Sequence, residues 1–215
     1  MNHKLKITLV LVLFFQNYIF SKQHKIQDIN ALVGGKGDPS IITAQLEIDS
    51  ENGSIGDLTL YLKSGYQKTA LAFNKEQRKV VMSHYNKFQE WQKVAIENKI
   101  KEHKKDVGVI SDVVGFIYSV DSWETSYPVE INILAIIGDI AMLSFVVPKL
   151  TSKNNKYISA PLNLIGLPDN KDTEALGIST PKVIFEIFEE ENLQNQANEI
   201  LNQLDEKKKL DELFK

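Results

Sequence analysis

The chain has 215 residues, 43% of them hydrophobic, with 25 Lys and Arg against 28 Asp and Glu, a formal net charge of -3 and no cysteine. A chain of this length buries a core without covalent staples, and the missing thiol excludes disulfides, thiolate catalysis, sulfur-ligated metals and a lipid-modified N-terminal cysteine. Arg78 is the only arginine, so the planar forks that grip phosphates and guanine edges are scarce and nucleic acid is not an expected partner.

Asn2, His3, Lys4 and Lys6 make a short basic start, Ile7 to Phe15 is an apolar run of nine, and Ser21 is a small residue suited to peptidase cutting. The run is shorter than the ~20 residues of a membrane-spanning helix. Basic start, short apolar middle and small-residue end are the layout of a secretory signal, expected over residues 1–21 and cleaved near Ser21. Cleavage removes Lys4 and Lys6 and leaves a net charge of -5, in an exported protein of periplasmic or extracellular address. The expected organisation is this signal, a lead-in linker over 22–40, and a single domain over 41–215 with a charged tail from about 205. The breaker cluster Gly34-Gly35-Lys36-Gly37-Asp38-Pro39-Ser40 closes the lead-in; its glycines are misspaced for a phosphate loop and run into a strand.

Ile42, Ala44, Leu46 and Ile48 alternate with polar residues, and Leu58, Leu60 and Leu62 alternate with Thr59, Tyr61 and Lys63. Around the polar Asp49–Ser54 turn these runs predict an antiparallel hairpin, with a third strand over 69–73. Asn74 with Gln77 three residues on is a capping-box signature. Val81, Tyr85, Phe88, Trp91 and Ala95 then fall at helical spacing, predicting a long amphipathic helix over about 75–105 that carries both His84 and His103. Its excess of lysine would also suit an anionic membrane surface, but the apolar stripe is what a helix packed on a sheet needs.

Residues 107–120 are rich in Val, Ile and aromatics and read as a strand, and 121–128 as a loop. The apolar stretch 131–148 is long enough to suggest a membrane span, yet Asp139 near its middle would cost about 2.5–3.5 kcal/mol there. Gly138-Asp139 supplies turn chemistry between two β-branched runs, so a buried hairpin over 130–136 and 140–147 is preferred; a buried helix is the alternative. Tyr157 to Ile165 reads as a strand broken by Pro161, and 167–170 as a turn. Thr180-Pro181 resembles a helix start, with Ile184, Phe188, Ala197, Ile200, Leu201 and Leu204 forming the stripe of a C-terminal helix; Val183, Phe185 and Ile187 also alternate, so a short strand there remains open. The fold class expected is α+β, an antiparallel sheet of about five to seven strands packed by the 75–105 helix, with a second helix at the C-terminus.

Catalytic signatures are sparse. The histidines lack the three- or four-residue spacing of a helical metal pair, and no GxSxG elbow is present, so no catalytic residue, metal site or cofactor is assigned. The most suggestive cluster is Asp121 to Tyr127. Trp123 and Tyr127 suit stacking on sugar rings, while Asp121 and Glu124 suit acceptance of hydroxyl hydrogen bonds. These four are the candidate ligand-binding residues of an exported, non-enzymatic binding or envelope-associated module, whose partner would be an envelope protein or polysaccharide, with no membrane contact after cleavage. The alternative is a small hydrolase using Asp121 and Glu124 as paired carboxylates.

Overall fold

A computed structural model describes residues 21–34, 39–64, 67–161, 163–169 and 176–213; the signal-like segment 1–20 and the glycines at 35 and 37 lie outside them. The period-two runs form long antiparallel strands: β1 (Ser21–Val33), β2 (Pro39–Asp49), β3 (Ile55–Ser64) and β4 (Gln67–Phe73). Helix α1 (Lys75–Glu97) follows, then β5 (Glu102–Ser119), β6 (Ser122–Thr125), β7 (Val129–Gly138) and β8 (Ala141–Val147). A small β9 (Leu150–Thr151) and β10 (Ser159–Ala160) pair with each other before β11 (Asn163–Asp169), α2 (Lys182–Phe188) and α3 (Glu190–Leu213).

The main sheet has nine strands in the order β4-β3-β2-β1-β11-β8-β7-β5-β6, and β4 also pairs with β5. That last pairing closes eight of the strands into an antiparallel ring, with β6 appended to β5 beside β7. The fold is therefore α+β, as expected, but its sheet exceeds five to seven strands. Inward residues such as Ile42, Ala44, Leu46 and Ile48 of β2 are buried, as are Ile131, Ile133, Ala135 and Ile137 of β7; outward residues alternate with them. The Gly138–Ile140 turn joins β7 to β8 in the expected hairpin, paired from Asn132↔Val146 to Ile136↔Met142. Among the described residues no helix is long and apolar enough to cross a membrane.

Two gaps in the ring are filled by helices. β4 pairs with β5 only over Val114–Ile117. Beyond it, α1 side chains reach the open edge: Gln77 Nε2 donates to the Ser111 carbonyl, Lys87 Nζ to that of Val107, and His84 Nε2 lies 3.3 Å from that of Val109. On the far side, β1 meets β11 only at Leu32↔Gly166 and Val33↔Ile165. There Asn30 bonds instead to Gly177 and Ser179, and Gln27 Nε2 donates to Glu186 of α2.

Several expectations are corrected. Most of the 22–40 lead-in is strand rather than linker: β1 takes Ser21–Val33 and β2 begins at Pro39, while 35–38 lie outside the described residues. The Asn74–Gln77 capping box forms, but the helix stops at Glu97 rather than near 105. Lys99 at φ +54, with Lys99 N–H on the Ile96 carbonyl and Ile100 N–H on that of Ala95, makes a Schellman-type stop in which lysine stands where glycine is usual. His103 consequently lies on β5, not on the helix. The 121–128 loop contains β6; Leu167, Pro168 and Asp169 belong to β11 rather than a turn. Residues 182–188 are helix, not strand, and the C-terminal helix is two, broken at the extended Glu189. Pro181 stands at the cap of α2 and no side chain caps it.

Helix α3 is held at its first residue. Arg78 is fully buried; its Nε donates to Glu190 Oε1 at 2.7 Å, its Nη1 to the carbonyls of Gly56 and Phe73, and its Nη2 has no partner among the described residues. Farther along, Leu193 and Ala197 are buried and Leu201 rests on Gly53, while residues 202–213 are exposed.

Candidate functional site

The β5–β6 hairpin turns on two residues, Val120 and Asp121, between the paired Ser119 and Ser122. Both have positive φ, 46° and 61°, as a type I′ turn requires, a geometry for which Asn-Gly is the favoured dipeptide. Val120 is β-branched, which makes the left-handed region costly, on the order of 1–3 kcal/mol, and it is 92% exposed. Core packing does not explain such a residue at such a place. Strain at an exposed tip is the kind of outlier from which a functional hypothesis is drawn.

Behind the tip lies a convex aromatic face. Tyr118 and Trp123 are cross-strand partners, their rings 5.3 Å apart at 66°, and Tyr61 of β3 meets Trp123 at 5.6 Å and 72°. Both contacts are the edge-to-face kind that aromatic quadrupoles favour. Lys68 Nζ stands 4.8 Å from the Tyr118 ring centroid, and the Tyr61 hydroxyl donates to Gln23 Oε1. Burial pushes the Tyr61 phenol up from its ordinary value, an effect the Gln23 hydrogen bond partly offsets. Trp123 nonetheless keeps 42% of its surface in solvent. The face thus offers aromatic surface, hydroxyl, amide and ammonium groups together.

The four residues singled out by sequence divide. Asp121 and Trp123 belong to this face, with Asp121 Oδ1 accepting from the Tyr118 hydroxyl at 3.4 Å. Glu124 is paired with the inward Ile117, so it points to the other side of β6. There its Oε2 accepts from Ser152 Oγ at 3.2 Å and Asn154 Nδ2 at 3.1 Å, tying the 150–155 segment to the hairpin. Tyr127 is exposed past the end of β6, its N–H bonded to the Thr151 carbonyl. Asp121 and Glu124 thus bond on different sides of the hairpin, the first to Tyr118 and the second to Ser152 and Asn154. Sequence reasoning missed Tyr61, Tyr118, Lys68 and Gln23 as members of the face. The signal available was an aromatic at the polar positions of alternating runs, Tyr61 between Leu60 and Leu62 and Tyr118 after Ile117.

Other places hold less chemistry. Among the described residues no group of three or more His, Asp or Glu is arranged to hold a metal ion. The His84 ring lies where a Cβ on Gly108 would meet it at 2.1 Å, so it packs on bare backbone. Trp91 is covered by Lys105 at 3.9 Å and Lys87 at 4.9 Å. The chain matches no protein-family model, and comparison with curated proteins and with solved structures finds no similar protein.

Proposed function

We propose that this chain is an exported, non-enzymatic binding module that engages an envelope polysaccharide through the convex aromatic face and the β5–β6 tip. The observation that carries the reading is the conjunction of Val120, strained and 92% exposed, with the half-open Trp123 directly behind it. Aromatic rings flanked by hydroxyl, carboxylate and amide groups suit the CH faces and hydroxyls of a sugar. The hydrolase reading needs two convergent carboxylates, and the opposite orientations of Asp121 and Glu124 count against it. Export rests on the signal-like residues 1–21.

Affinity electrophoresis through gels containing envelope polysaccharide from the source cell tests the binding. Trp123→Ala is expected to abolish the retardation of the native protein, and equal retardation of both removes the reading. Val120→Asn combined with Asp121→Gly relieves the turn, so it should raise stability by about 1 kcal/mol while weakening retention. Fusing residues 1–21 to a reporter enzyme tests export separately.

A further inference from the structure

The ring of eight strands has a lumen, and its filling is unusual. A cavity of about 20 Å³ survives there, touched by Ile42, Leu60, Phe145 and Leu167 from four strands and by Ile184 and Ile187 from α2. Every residue lining it is aliphatic or aromatic, so although it is about large enough for one water it offers that water no polar partner, and apolar cavities of this kind stay dry. An eight-stranded closed barrel is just wide enough to be filled by its own side chains or to hold one small ligand. Here part of the filling comes from α2, a separate short helix.

Helix α2 has little to sustain it on its own account. It has seven residues, no side-chain cap, no acid in its first turn and no base in its last; isolated helices far longer than this are marginal in water. What holds it is burial of Val183, Ile184, Ile187 and Phe188, with Phe188 edge-on to Phe73 at 5.3 Å. Grooves of about 670 Å³ and 610 Å³ lie between it and α1, the first at its C-terminal half and the second at its N-terminal end. It lies at the gap where β1 and β11 share only two residue pairs. At its C-terminal end Glu189 is extended, with φ -75° and ψ 126°, and the next residue is pinned by Arg78. A hinge at Glu189 would therefore move α2 while leaving α3 docked.

We infer that α2 is an exchangeable plug and that the lumen accepts a linear apolar chain, of the fatty-acyl class, in its place. The exchange substitutes one apolar occupant for another, so the lumen remains dry in both states. The site is separate from the convex face, and Trp123→Ala leaves it unchanged, so the two readings fail independently.

The test titrates the full-length protein with dansyl-undecanoic acid and displaces the probe with palmitic acid, while amide exchange is followed by mass spectrometry. Expected are saturable uptake of one equivalent by the native protein, displacement by palmitic acid, and faster exchange over 182–188 with 190–201 unchanged. Ile184→Ala with Ile187→Ala, checked for folding by circular dichroism, should bind the probe at least several-fold more tightly. Absence of saturable uptake by the native protein overturns the inference, including the case in which only the double variant binds, since that variant's own hole would then be the site. Uptake that leaves 182–188 protected overturns it equally.

Discussion

From Glu102 to Asp112, β5 has a strand on one side, β7, and helix α1 on the other; farther on, β4 pairs with Val114–Ile117 and β6 with Phe116–Ser119, so that strands flank Phe116 and Ile117 on both sides. In the first half residues 102–106 are all exposed, and the open carbonyls of 107, 109 and 111 are met by Lys87, His84 and Gln77. In the second half Gly115 and Ile117 face the interior while Tyr118 joins the aromatic face outside. One strand thus satisfies its backbone in two ways. Side chains from a helix suffice where the outer surface is only solvated, whereas strands meet on both sides at Phe116 and Ile117, a few residues short of the strained Val120.

If the doubly paired stretch is the rigid one, Ile117→Ala should be the most costly change, about 2–5 kcal/mol by denaturant unfolding. A loss comparable to that of an exposed residue would break the contrast. On the helix-closed half, Gly108→Ala drives a methyl group into the His84 ring and should cost about 1–3 kcal/mol. Adding His84→Ala should recover part of that loss. Strict additivity in the double-mutant cycle would show that the two do not meet.

The smallest effect is a titration. Tyr61 is held above the ordinary tyrosine value of 10.0 by burial. The folded state therefore retains this proton longer than the unfolded one, and stability falls as pH rises past 10.0. Trp123→Ala opens the ring to water and should move the Tyr61 ultraviolet transition back toward 10.0; an unmoved transition would place the burial elsewhere.

The same contrast explains what was readable. Strands with one buried face declared themselves: β2, β3 and the β7–β8 hairpin show clean alternation or β-branched runs, and the α1 start had its capping box. The exposed half of β5 did not, because His103, Lys104, Lys105 and Asp106 carry no buried face and extend the polarity of the preceding helix. Only Lys99 at positive φ separates the two elements, and lysine is not a stop signal. The first half of β1 is equally polar, so its pairing with β2 is invisible locally. At the site, the loop 121–127 was legible as a cluster of aromatics and acids. Its division by β6 into two faces was not, since that depends on Glu124 pairing with Ile117. Nor does Val-Asp resemble a type I′ turn.

Arg78 has a practical consequence. It is the chain's only arginine and no part of it reaches solvent, so an arginine-selective reagent such as phenylglyoxal meets a protein with no accessible target until the corner between α1, β3, β4 and α3 opens. Modification yield against time would then count those openings at one known position, with the 24 lysines leaving the signal untouched. A single side chain serves as a built-in clock for the integrity of the whole corner.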